Sequence, residues 1–166
     1  MIKELSCGLV IFAGFVCLPG ALSRHQTELL QTPTPAPAPS ASAQVDRRLL
    51  CLQRFFAQAD CPAFHLADVF LQAADDNHLD WRLLPSLSFV ETGGGKAASN
   101  NNLFGWDCGR ARFDSFAAGI HQVGFHLAHR SLYRHKNVAQ ILAVYNPNPD
   151  YGQLVTSVMR QIAPTE

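Results

Sequence analysis

From Val45 onward, apolar residues return at three- and four-residue intervals, and no stretch alternates apolar with polar. Leu49, Leu50, Leu52 and Phe56 form one stripe, and Leu66, Val69, Phe70 and Ala73 a second. That spacing puts side chains on one face of an α-helix, whereas a half-buried strand needs a period of two. The first stripe stops before Asp60-Cys61-Pro62 and the second near Asp76-Asn77. Asp80 is placed to cap a third helix carrying Leu83, Leu84, Leu87 and Val90, with Pro85 early enough to be tolerated. Gly93-Gly94-Gly95 ends that helix, because three glycines cannot hold one cheaply. A long helix with Phe116, Ile120, Val123 and Leu127 is expected to start near Asp114 or Ser115. Val138, Ile141, Leu142 and Tyr145 suggest a short helix broken by Pro147 and Pro149, and Tyr151, Val155, Val158, Met159 and Ile162 mark the last. The expected fold is all-α, α+β at most: a single compact helical domain over residues 45–166. Any strand would be a very short hairpin within residues 103–113.

The residues before this domain have a different character. Met1 to Glu4 carries one Lys, and an apolar run extends from Leu5 to Leu22 with Gly20, Ala21 and Ser23 at its end. Residues 1–23 therefore read as a signal peptide or an N-terminal membrane anchor, with residues 5–22 long enough to tether the chain to a membrane. Cys17, preceded by Gly14, Phe15 and Val16, fits a lipoprotein signal poorly. Residues 24–44 read as a flexible linker, since TPTPAPAPSASAQ favours extended chain and has nothing to bury. The expected location is exported: periplasmic or cell-envelope.

Export bears on the cysteines. Cys51, Cys61 and Cys108 lie beyond the apolar run, and an oxidising compartment tends to pair two of them. Cys61 with Cys108 is the favoured disulfide, because both stand in turn-like contexts, whereas Cys51 sits inside a helical stripe. Lys+Arg and Asp+Glu number 13 each, so the formal net charge is zero. A nucleic-acid partner, which calls for a strongly basic face, is not expected.

The chemistry concentrates around Glu91. It stands where an apolar helix runs out into glycine. There it meets the negative end of the helix dipole, and Phe89 and Val90 add apolar surroundings. Both influences disfavour a charged carboxylate, and a carboxyl that keeps its proton near neutrality is what a general acid needs to protonate a glycosidic oxygen. Lys96 would oppose this if it reached Glu91. The loop that follows, Ser99-Asn100-Asn101-Asn102-Leu103-Phe104-Gly105-Trp106-Asp107, offers amides for sugar hydroxyls and N-acetyl groups. Phe104 and Trp106 offer flat apolar faces for pyranose rings. Taken singly, the asparagines suit ordinary turns and the aromatics an ordinary core; taken together behind a helix-ending Glu, they read as a saccharide groove.

These residues carry a resemblance. LDWRLLPSLSFVETGGGKAASNNNLFGWD, then FDSFAAGI, then YNPNPDYGQLV is similar to the bacterial glucosaminidase family of the lysozyme-like superfamily, which includes endo-β-N-acetylglucosaminidase-like domains of cell-wall hydrolases. The similarity covers roughly Ala63 to Ile162 and rests on the order and spacing of the motifs. It implies a lysozyme-like domain with a groove, acting on peptidoglycan glycan strands, with Glu91 as general acid and no cofactor. It implies that Asn102, Phe104, Gly105 and Trp106 line the groove. It also implies that Tyr145 and Asn146 correspond to a Tyr-Asn pair facing the catalytic Glu in related lytic transglycosylases, and that Tyr151 corresponds to a late Tyr of the family pattern. Asn100 and Asn101 join the substrate-binding set as neighbours of Asn102.

Glycosidases commonly use two carboxyl groups. Asp107 is nearest Glu91 in sequence, followed by Asp114. Three routes stay open: inversion with Asp107 or Asp114 as base, assistance from the substrate's own N-acetyl group, or transglycosylation by Glu91 alone. A non-catalytic glycan-binding module of the same fold is a further alternative. No metal site is expected: His121, His126 and His129 share a helix at spacings that do not bring them together on one face.

Overall fold

A computed structural model describes residues 46–164. The expectations for residues 1–23 and 24–44 lie outside the described residues, which form a helical domain with no strand among them. Its helices are α1 (Arg47–Gln58), α2 (Ala67–Asp76), α3 (Leu83–Thr92), α4 (Phe116–His129), α5 (Val138–Tyr145) and α6 (Pro149–Ile162), with a 3-10 turn at Pro62–Leu66. None of these helices is long and apolar enough to cross a membrane.

Local chemistry accounts for most boundaries. The Asp46, Ser115, Asn137 and Asn148 side chains each accept a backbone N–H of the helix they open. Asn137 does so within a reciprocal capping box with Gln140. Asp80 does not cap α3 directly. Its carboxylate accepts the Arg82 N–H at 2.9 Å and its carbonyl accepts the Leu83 N–H, which makes a turn before the helix starts at Leu83. At the other end Gly93 takes the left-handed conformation (φ 63°), and its N–H bonds the Phe89 carbonyl.

α3 is the centre of the domain. Leu83, Leu84, Pro85, Ser86, Leu87, Ser88 and Thr92 are all buried, so the helix is enclosed on nearly every side. It packs on α2 and α6; α2 also packs on α4, and α1 on α2 and α6. Phe56, Phe70, Phe104, Ile120, Leu127 and Leu142 complete the core from the other elements. Burying the helix fixes its C-terminal end, and with it Glu91.

The hairpin considered for residues 103–113 does not form. The segment between α3 and α4 is a series of turns with one isolated bridge, Ser99 to Asn102. Asn100, Asn101, Asp107 and Cys108 take positive φ, a conformation in which asparagine and aspartate are tolerated better than most residues.

Candidate active site

Glu91 lies in the last turn of α3, partly buried. The next residue, Thr92, is buried, and its hydroxyl reaches the Ser88 carbonyl at 3.1 Å and the Leu103 carbonyl at 2.9 Å. That contact pins the following loop to the helix end. The loop then returns over Glu91: a Cβ placed on Gly105 (φ 58°) would lie 3.0 Å from Glu91 Oε2. Glycine is needed there for the left-handed backbone and for the close approach. On its other oxygen Glu91 accepts the Tyr151 hydroxyl, from α6, at 2.6 Å. Lys96 does not reach it by hydrogen bond; its ammonium donates to the Ala59 carbonyl at 2.8 Å.

Glu91, Phe104, Gly105, Trp106, Asp107, Cys108, Tyr133, Tyr145 and Asn146 line one cleft of about 410 Å3, a size usual for small-ligand sites. A row of aromatic rings runs through its wall and into the residues behind it. Tyr151 stacks on Tyr145 (centroids 5.9 Å apart, planes at 11°), Tyr145 meets Trp106 at 5.9 Å, and Trp106 stacks on His126 of α4 at 5.6 Å. The Tyr145 hydroxyl donates to the Phe104 carbonyl at 2.7 Å, tying α5 to the loop. Burial first, then the neighbouring Glu91, pushes the Tyr145 phenol well above its ordinary range. Burial and the hydrogen bond to Glu91 do the same to Tyr151, so both hydroxyls stay protonated donors.

The sequence-derived candidates divide by the work their atoms do. Glu91, Trp106, Asp107, Tyr145 and Asn146 come together at the cleft, with Tyr151 bonded to Glu91. Asn102 is buried, and its side chain serves the loop: Nδ2 donates to the Trp106 carbonyl at 2.9 Å, while Oδ1 accepts the Phe104 and Trp106 N–H groups. Asn101 donates to the Phe113 carbonyl at 2.9 Å, and the Asn100 carbonyl accepts the Phe113 N–H. The Phe104 ring is in the core, 1% exposed, leaving Trp106 and Tyr145 as the aromatic faces beside Glu91. The Asn146 side chain accepts the Asn148 N–H at the entrance to α6. Asp107 stands on the rim, ion-paired with Arg110 at 2.9 Å, and both side chains are more than half exposed. Asp114 is exposed and lies outside the cleft lining.

Among the described residues no disulfide joins Cys51, Cys61 and Cys108. Of the pair favoured from sequence, Cys61 is buried against Phe56 and Gly94, and Cys108 is exposed at the cleft rim. Two residues that the sequence did not assign to the site join it. His126 backs Trp106, and Tyr133 lines the cleft. Tyr133 follows α4 in a basic turn beside Leu132; burial separates the two, Tyr133 being 9% exposed and Leu132 65%. Among the described residues no cluster of histidine, cysteine and carboxylate is arranged to hold a metal ion. Compared with known families, characterised proteins and solved structures, the chain gives no match.

Proposed function

We propose that this chain is an exported, lysozyme-like glycan hydrolase that cleaves β-1,4 bonds between amino sugars of peptidoglycan, in the manner of an endo-β-N-acetylglucosaminidase. The observation that carries the reading is Glu91 itself: a carboxyl at the end of a buried helix, held by Tyr151 and by the close approach of Gly105, opening on a cleft walled by Trp106 and Tyr145. A pyranose ring laid against those faces brings its glycosidic oxygen to Glu91, which donates the proton the leaving sugar requires. Export rests on the apolar run at residues 5–22, and delivery to a wall polymer on the Pro-rich spacer behind it.

One observation favours a route using Glu91 alone, by N-acetyl assistance or by transglycosylation, over inversion. Asp107, the second carboxylate at the cleft, is engaged by Arg110 on the exposed rim. Neither route needs a second carboxylate: after Glu91 protonates the departing oxygen, either the substrate's own N-acetyl oxygen closes on the anomeric carbon and water then opens that ring, completing a hydrolysis, or the sugar's 6-hydroxyl closes there and Glu91 takes its proton.

The test is digestion of purified peptidoglycan by the full chain and by Glu91→Gln, with mass spectrometry of the products. New reducing ends that vanish with Glu91→Gln support hydrolysis, and anhydro-sugars support transglycosylation. Binding without cleavage by the unmutated chain would replace the enzyme reading with that of a glycan-binding module.

A further inference from the structure

Three tyrosines stand around Glu91, and their hydroxyls are used differently. Tyr151 donates to Glu91 and Tyr145 to the Phe104 carbonyl. The Tyr133 ring is packed into the core cluster, 9% exposed, yet its hydroxyl has no hydrogen-bond partner among the described residues. A tyrosine buried to this degree ordinarily satisfies its hydroxyl. This hydroxyl is not sealed in either: among the described residues the enclosed side-chain atoms lacking a partner are Ser86 Oγ and His126 Nδ1, and Tyr133 lines the same cleft as Glu91 and Trp106.

The turn after α4 fixes where the ring goes. The Tyr133 N–H donates to the Arg130 carbonyl at 2.9 Å, and the Tyr133 carbonyl accepts the Lys136 N–H at 3.2 Å. The side chain is therefore held before any ligand arrives, which keeps the ordering cost of using it low. Burial raises the phenol above its usual range, against a smaller opposing influence from Arg130, so the group meets a ligand as an O–H donor.

We propose that Tyr133 is a further glycan-contacting residue, its hydroxyl left free by the fold to donate a hydrogen bond to an oxygen of the sugar bound against Trp106 and Tyr145. The assignment rests on the glycan reading above. It gives the cleft a polar reader on the wall supplied by the turn after α4, where the sequence offered only a basic stretch.

Calorimetric titration with a β-1,4-linked tetramer of N-acetylglucosamine tests it. The full chain carrying Glu91→Gln is used, so that the ligand is not consumed, with and without Tyr133→Phe. Removing the hydroxyl should weaken binding roughly 5- to 15-fold, the loss expected for one hydrogen bond to a desolvated ligand oxygen. The thermal midpoint should stay within about 2 °C, since no protein partner is lost. Equal affinity of the two proteins, within twofold, would overturn the assignment and leave the glycan reading standing. So would a fall in thermal midpoint with affinity intact, which would make Tyr133 structural. Failure of the Glu91→Gln chain itself to bind the tetramer would remove the glycan reading and the assignment together.

Discussion

The Tyr151 hydroxyl lies 2.6 Å from Glu91 Oε1, across 60 residues of sequence, and joins the last helix to the end of the most deeply buried one. Glu91 Oε2 faces Gly105 on the opposite side. Between them, a helix and a loop hold one carboxyl in a single orientation. Holding a reacting group in place before substrate arrives is a large part of what a site of this kind can contribute.

Tyr151→Phe should therefore cost turnover more than affinity. The substitution removes one donor to Glu91 while keeping the stack on Tyr145. As Glu91 gives up its proton it becomes charged, and a hydrogen bond to a charged group is worth roughly 1.5–3 kcal/mol, which corresponds to a fall of about 10- to 100-fold in kcat. KM on soluble peptidoglycan fragments should change by less than about threefold. Steady-state kinetics on the two proteins checks this; an unchanged kcat would remove Tyr151 from the catalytic machinery.

Gly105→Ala tests the other side of the same carboxyl. A methyl group there meets Glu91 Oε2 at 3.0 Å, and the backbone must hold a positive φ that disfavours alanine by about 1–2 kcal/mol. The expected result is a thermal midpoint lower by several degrees and a larger loss of activity than that drop explains. Calorimetry and kinetics on one preparation separate the two effects.

Asn102→Ala should be among the most destabilising changes in the loop. It removes a donor to the Trp106 carbonyl and an acceptor for two backbone N–H groups in a site only 2% exposed. Three backbone groups lose their partner, and buried groups left unpaired cost roughly 1–3 kcal/mol each, so about 3 kcal/mol or more is expected in total, read by urea unfolding. Trp106 emission, isolated with Trp81→Phe, should move toward that of an exposed indole.

These residues also show what was legible in the sequence. Helical periodicity located every helix, because the apolar stripes of α1, α2, α4 and α6 and the Gly93 stop of α3 are local signals. Glu91, Trp106, Tyr145 and Asn146 line one cleft, and each stands in a motif readable in the sequence. The work of Asn102 was not readable. An amide suits a sugar and a turn equally, and only the folded loop shows that both its polar atoms are spent on backbone. The hairpin considered for residues 103–113 does not form, since the Phe104 and Trp106 N–H groups go to that side chain and those of Gly109, Arg110, Ala111 and Phe113 to backbone carbonyls in turns. Tyr133 and Leu132 are adjacent, and no local pattern tells which one turns inward.

His126 makes the last prediction, a dependence of stability on pH. Arg130 lies 3.1 Å from His126 Nε2, and a guanidinium can only donate, so Nε2 accepts and the proton sits on Nδ1, which is buried without a partner. Burial, then the charge of Arg130, lowers the imidazole below its ordinary value of 6.5. The unfolded chain then binds a proton at this residue more readily than the folded one. Its contribution to stability is complete above about pH 6.5 and is lost as pH falls from there through the lower folded value. The thermal midpoint should thus decline between pH 7 and pH 5, and His126→Phe, which keeps an aromatic ring against Trp106, should flatten that part of the decline. In a Trp81→Phe background, Trp106 emission should follow the same titration and lose it with His126→Phe. Identical pH profiles for the two proteins would show that the stack on Trp106 does not depend on a neutral imidazole.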